Sequence, residues 1–185
     1  MNIDTLREQL PEYARDIKLN LSSVLKPEGA PGLSAAQIAG VALASAIASR
    51  YQPLTAAIEH AAAGQASEAT LRAARAAAAV MGMNNVYYRF AHLVGDAEYL
   101  TLPARLRMNV IGQPGVEKVD FELYSIAVSA VNGCGMCIES HEKTLRKHGL
   151  GREAVQSAAR IAAVIHAAAV TLEYAATTAE VAEAA

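Results

Sequence analysis

Tryptophan is missing from this 185-residue chain, and phenylalanine and tyrosine bring the aromatic share to only 5%. A chain so poor in rings lacks the stacking surfaces that single-stranded nucleic acids use. Charge gives no help there either. Sixteen Lys and Arg stand against eighteen Asp and Glu, a formal net charge of −2, so there is no basic footprint for a phosphate backbone. Long apolar runs are scarce as well. The stretch AAQIAGVALASAIAS at 35–49 carries Gln37 and two serines and halts at Arg50, short of the ~20 residues that span a bilayer. The opening MNIDTLREQLPEY puts Asp4 and Glu8 where an export signal needs an apolar core. A cytoplasmic protein that engages neither membrane nor nucleic acid is the expectation. Only two cysteines occur, Cys134 and Cys137, which excludes a disulfide-rich framework.

Alanine is abundant. It supplies much of the 53% apolar fraction, and it is both the best intrinsic helix former and small enough to let helix backbones approach closely. The chain therefore reads as all-α, one compact domain over 1–185. Short and longer helices flank Pro11, and KPEGAPG at 26–32 is a turn-rich linker. Ser34 caps a helix to about Arg50, and Pro53 opens another that ends near Gly64. Ser67 begins a long helix ending before Gly95. A short helix and a Gly112–Gly115 loop follow, then a helix over about 117–131. Gly149 stops the next one, and a last helix runs from about Arg152 to Tyr174 before an Ala/Thr/Glu tail that frays. No segment reads as a strand.

Two pseudo-repeated halves emerge when the chain is laid on itself. SAIASRYQPLTAAIEHAAAG at 45–64 parallels SAVNGCGMCIESHEKTLRKHG at 129–149, and EATLRAAR at 68–75 parallels EAVQSAAR at 153–160. Arg50 and Pro53 then occupy the places of Cys134 and Cys137. In this division the N-terminal half, 1–112, is scaffold, and the C-terminal half, 113–185, carries the chemistry.

That chemistry centres on AVNGCGMCIESHEKTLRKHG at 130–149. Asn132 and Gly133 break one helix, so the cysteines open the next. Unpaired N–H groups and the positive dipole end there favour anions, a thiolate included. Cys134, Cys137 and His141 fall at i, i+3 and i+7 on one helical stripe. His141, one turn past Cys137, is placed as its base or proton shuttle. Glu122 sits twelve residues before Cys134 in the apolar VDFELYSIAVSA. If the two helices form a hairpin it approaches His141, and a carboxylate buried there requires a partner. Such a group suits thiol–disulfide exchange or attack on a peroxide oxygen. A zinc site of Cys134, Cys137, His141 and Glu122 is the competing use of these residues; structural zinc wants a second close ligand pair, which the chain lacks.

The spacing Glu-x11-Cys-x2-Cys-x3-His, with LPEYARDIKLNLSS at 10–23, MGMNNVYYR at 81–89, LRMNVIGQPG at 106–115 and FELYSIAVSAVNGC at 121–134, resembles the AhpD (alkyl hydroperoxidase D) family of the carboxymuconolactone-decarboxylase-like superfamily. The resemblance implies a helical subunit assembled as a homotrimer that reduces organic hydroperoxides and regenerates the peroxiredoxin AhpC. It implies no bound cofactor, with dihydrolipoamide as electron donor, carried by a lipoyl-bearing 2-oxo-acid dehydrogenase component and kept reduced by lipoamide dehydrogenase. It further implies that Cys137 is the peroxidatic thiol, which passes through a sulfenic acid. Cys134 would be the proton donor and resolving thiol, closing a Cys134–Cys137 disulfide and forming the mixed disulfide with AhpC. Glu122 and His141 complete the proton relay. The chain departs from close AhpD relatives at Met136, where they carry a second histidine between the cysteines.

Other residues take structural readings. His166, in IAAVIHAAAV, is expected in the core or an interface, and His60, His92 and His148 on the surface. Asn84 and Asn85 are expected to satisfy buried backbone groups, and Met81, Met83 and Met108 to fill the core. The basic clusters RLRMN and KTLRKHG are expected as solvated faces. Two other functional classes compete: a non-redox enzyme of the carboxymuconolactone-decarboxylase type, whose chemistry needs no dithiol, and a disulfide-exchange adaptor for AhpC with weak peroxidase activity, which Met136 favours.

Overall fold

The computed structural model describes residues 2–183. Its order is α1 (Ile3–Glu8), a 3-10 turn, α2 (Arg15–Val24), a second 3-10 turn, α3 (Ala35–Ser49), α4 (Gln52–Ala63) and α5 (Glu68–Leu93). Then come α6 (Glu98–Thr101), α7 (Asn109–Gly112), α8 (Lys118–Asn132), α9 (Gly135–Lys147) and α10 (Arg152–Glu183). No strand occurs among the described residues, so the fold is all-α as expected.

Two short helices form the axis of the bundle. Ile38–Ala46 of α3 and Phe121–Ser129 of α8 are nine-residue runs buried on every side, the mark of a core helix rather than an amphipathic one. The long helices α5 and α10 each pack against both of them. Helices α3 and α8 approach closely because α3 presents Gly40. A Cβ there would fall 2.7 Å from the Tyr124 hydroxyl and closer still to its ring. Burial first, and the nearby Asp120 carboxylate second, push the Tyr124 phenol above its ordinary value.

Local signals act where the sequence places them. The Ser34 hydroxyl accepts from Gln37 N–H while the Gln37 side chain accepts from Ser34 N–H, a capping box that starts α3. Ser67 caps α5 through Thr70 N–H, and Pro53 lies in the first turn of α4. Gly149, at φ +86°, ends α9, with Leu150 N–H reaching back to the Leu145 carbonyl.

Two differences from the expectations concern helix extent. The single turn α6 has no counterpart in the sequence reading. Helix α10 does not stop near Tyr174 but continues to Glu183. Nothing after Arg152 breaks it, and the Thr177 and Thr178 hydroxyls return hydrogen bonds to the Glu173 and Tyr174 carbonyls. Arg152–Thr178 is also long and apolar enough to cross a membrane by composition, which the 35–49 stretch is not. Half of its most apolar window is buried inside the bundle, against α2, α3 and α8.

Each half of the chain delivers the same succession. Helices α3, α4 and α5 have 15, 12 and 26 residues; α8, α9 and α10 have 15, 13 and 32. Helix α3 ends in left-handed Arg50, at φ 66°, and α8 in left-handed Gly133, at φ 68°.

Candidate active site

Only Gly133 and Cys134 separate α8 from α9. Gly133 N–H bonds to the Ala130 carbonyl and Cys134 N–H to that of Ser129, a Schellman turn that needs the left-handed residue glycine supplies. The turn sets Cys134 as the N-cap of α9, with its carbonyl accepting from Ile138 N–H at 2.9 Å. Cys137 therefore lies in the first helical turn, where free N–H groups and the helix dipole favour negative charge. The two sulfurs are joined as a disulfide, with the Cα atoms 5.3 Å apart. Cys134 is fully enclosed and Cys137 is 6% exposed.

Glu122 comes from the middle of α8 and is 6% exposed. Its Oε2 lies 2.6 Å from Nδ1 of His141, so the carboxylate has the partner its burial requires. With Glu122 ionised, Nδ1–H donates to it and Nε2 is left free to take or give a proton. Glu122, Cys137 and His141 share the wall of one cavity of about 360 Å3. Met81, Asn84 and Tyr88 of α5 and Met108 and Ile111 of the α7 segment form its far side, and Met136 completes the α9 wall. Three of the four expected site residues thus meet at a mostly apolar hollow, and the fourth, Cys134, is bonded to one of them from behind. Among the described residues no group of three His, Cys, Asp or Glu side chains is placed to hold a metal ion.

The site has parts the sequence reading did not assign. The Asn85 amide donates to Ser129 Oγ at 2.9 Å, and its carbonyl oxygen accepts from Asn132 Nδ2 at 3.0 Å. Arg89 Nη1 donates to the Asn132 carbonyl at 2.6 Å. This chain of contacts ties α5 to the end of α8 immediately before the cysteines. Asn85 therefore binds side chains, not the backbone groups expected for it. Asn84, also expected to satisfy backbone, has a buried Oδ1 with no partner at all. The signal was present: Met81, Asn84 and Tyr88 sit at i, i+3 and i+7, the same stripe spacing as the cysteines and His141.

His166 is exposed on α10, which corrects the core half of its expectation; it lines a surface hollow with Arg50, Arg89 and Asn132. His60, His92 and His148 are exposed as expected. Met81 is buried, while Met83 and Met108 are half-buried, Met108 against the cavity.

The chain is similar along most of its length to known proteins. Residues 97–183 match the model of the carboxymuconolactone decarboxylase family. A protein of Gluconacetobacter diazotrophicus named alkyl hydroperoxide reductase AhpD is 58% identical over 176 residues, 95% of each chain. Proteins of the same name from Rhodospirillum centenum and Rhodopseudomonas palustris are 56% and 53% identical over 173 residues. They cover 94% of this chain, and 91% and 94% of their own lengths. With such identity running nearly from end to end, the chain belongs to the AhpD family of alkyl hydroperoxide reductases.

Proposed function

We propose that the protein is an antioxidant peroxidase that reduces organic hydroperoxides through the Cys134/Cys137 dithiol. The observation that carries this reading is the cavity wall where Cys137, bonded to Cys134, adjoins the His141–Glu122 pair. In the reduced form, His141 backed by Glu122 takes the Cys137 proton. The thiolate attacks the terminal oxygen of ROOH, and the O–O bond breaks with its electron pair leaving on the alkoxide. That alkoxide takes the proton and departs as ROH, and Cys137 is left as a sulfenic acid. Cys134 then attacks the Cys137 sulfur, the disulfide closes, and hydroxide leaves with the Cys134 proton as water. Two thiols are oxidised and one hydroperoxide is reduced.

Dihydrolipoamide would return the electrons as a dithiol, from a lipoyl-bearing 2-oxo-acid dehydrogenase component served by lipoamide dehydrogenase. Reduced Cys134 would attack oxidised AhpC through a mixed disulfide that Cys137 resolves. Donor and partner come with the AhpD resemblance. Since Cys134 is enclosed, the exchange with AhpC requires the turn to open. Gly133 and Gly135 on either side have no atom within 4 Å of a Cβ position, which leaves it room. A homotrimer accords with the apolar side chains exposed along α5 and α6, Phe90, Leu93 and Leu100 among them. A cytoplasmic location accords with the burial of α10 in the bundle.

Met136 favours a second reading. A thioether on the cavity wall cannot pass protons, which fits an adaptor that mainly reduces AhpC and consumes peroxide slowly. Mass spectrometry of the reduced protein after one equivalent of tert-butyl hydroperoxide tests the main reading. Wild type should form the 134–137 disulfide, Cys134→Ser should stop at a sulfenic acid on 137, and Cys137→Ser should not react. Full peroxide turnover by Cys137→Ser would remove the nucleophile. Reduction of oxidised AhpC with negligible peroxide consumption would select the adaptor.

A further inference from the structure

Among the described residues, two buried side-chain polar atoms have no hydrogen-bond partner, Asn84 Oδ1 and Ser125 Oγ. Of the two residues, Asn84 lines the cavity beside Cys137. It is 4% exposed, so bulk water does not satisfy it. Other polar groups of this wall are engaged at least in part. Glu122 and His141 bond each other, and the Thr144 hydroxyl donates to the Ser140 carbonyl. The next residue on α5, Asn85, has both ends of its amide committed. Among the residues that line the cavity, Asn84 is the one with a fully buried side-chain polar atom left without a partner.

A carbonyl oxygen can only accept, so its occupant must bring a donor. Within the peroxidase reading, on which this inference rests, an organic hydroperoxide carries one: the hydrogen on its terminal oxygen, the atom that Cys137 attacks. We propose that Asn84 Oδ1 accepts the hydroperoxide O–H and thereby holds the terminal oxygen for Cys137, with the organic group lying on Met81, Met108 and Ile111. Asn84 is then a substrate-binding residue that distinguishes hydroperoxides from dialkyl peroxides, which offer no such hydrogen. A buried acceptor left without its donor disfavours any occupant that lacks one.

The test uses the reduced full chain in single turnover, with disulfide formation by tert-butyl hydroperoxide followed against alkylation of Cys137 by iodoacetamide. Asn84→Leu keeps the side-chain size and removes the orphan oxygen, and Asn84→Ala guards against a packing effect of leucine. Both should react about 10–100-fold more slowly with the hydroperoxide, the worth of one neutral hydrogen bond at a closed site, while alkylation stays within about twofold of wild type. An unchanged peroxide rate overturns the proposal. So does an equal fall in both reactions, which would mean that residue 84 acts on the thiol or the fold. If wild type makes no disulfide with the hydroperoxide, the peroxidase reading itself fails and takes this one with it. A wild type that reacts beside an unaffected Asn84→Leu sinks this proposal alone.

Discussion

At the scale of single residues, the site rests on one short contact between two helices. His141 Nδ1 and Glu122 Oε2 are 2.6 Å apart with side chains 12% and 8% exposed, so water competes weakly for either group. Glu122→Gln keeps an oxygen able to accept from Nδ1–H but removes the charge that supports an imidazolium. Loss of a positioned acid–base group costs about 10²–10⁴-fold. Glu122 acts through His141, and the lower part of that range, about 10²-fold in kcat/KM, is expected. The pH profile of peroxide reduction should change shape as well. A variant with the wild-type profile would take Glu122 out of the relay. Cys134, Cys137 and His141 were legible because their relation is local, one stripe within one helix and its cap. For Asn84 the stripe with Met81 and Tyr88 marks the helix face but not the state of the amide. Whether a buried amide is satisfied depends on what the rest of the chain brings opposite.

Elements were read best where a single residue forces their ends. Ser34, Ser67 and Gly149 mark boundaries through their own hydrogen bonds or backbone angle. The end of α10 was misplaced because Ala/Thr/Glu residues continue a helix unless something stops them, and no such signal follows Tyr174. Close helix approach is also set at one position. Gly40→Ala would drive a methyl group into the Tyr124 ring, which is 1% exposed and has no room to withdraw. Overpacking at such a site costs about 3 kcal/mol, and the gain in helix propensity returns ~1. The net loss of about 2 kcal/mol should lower the Tm by roughly 4–8 °C. A calorimetric scan matching wild type would show that α3 and α8 can separate without penalty.

For the molecule as a whole, the two successions of buried, short and long helix differ in what lines them. On the 84-residue offset of the sequence repeat, Glu122 corresponds to Ile38 and His141 to Ala57, both buried and apolar. The same scaffold thus closes into core in one half and, in the other, opens onto a cavity walled by the His141–Glu122 pair. The exposed apolar surface bears on the proposed trimer. Leu93 is 71% exposed and Phe90 51%, more than a lone subunit needs to show together on one helix end. Light scattering should give three times the 19.4 kDa chain mass for wild type, and Leu93→Glu should shift it toward one. A wild-type monomer would refute the trimer.

The cystine closes a loop between residues only three apart, and its sulfurs belong to one helix and its cap. So short a ring removes little freedom from the unfolded chain, and the bond clasps no two distant parts of the bundle. In the proposed cycle, electrons can therefore be withdrawn and restored at this turn without unclasping distant parts of the bundle. There the bond would serve as a terminal for current rather than a rivet.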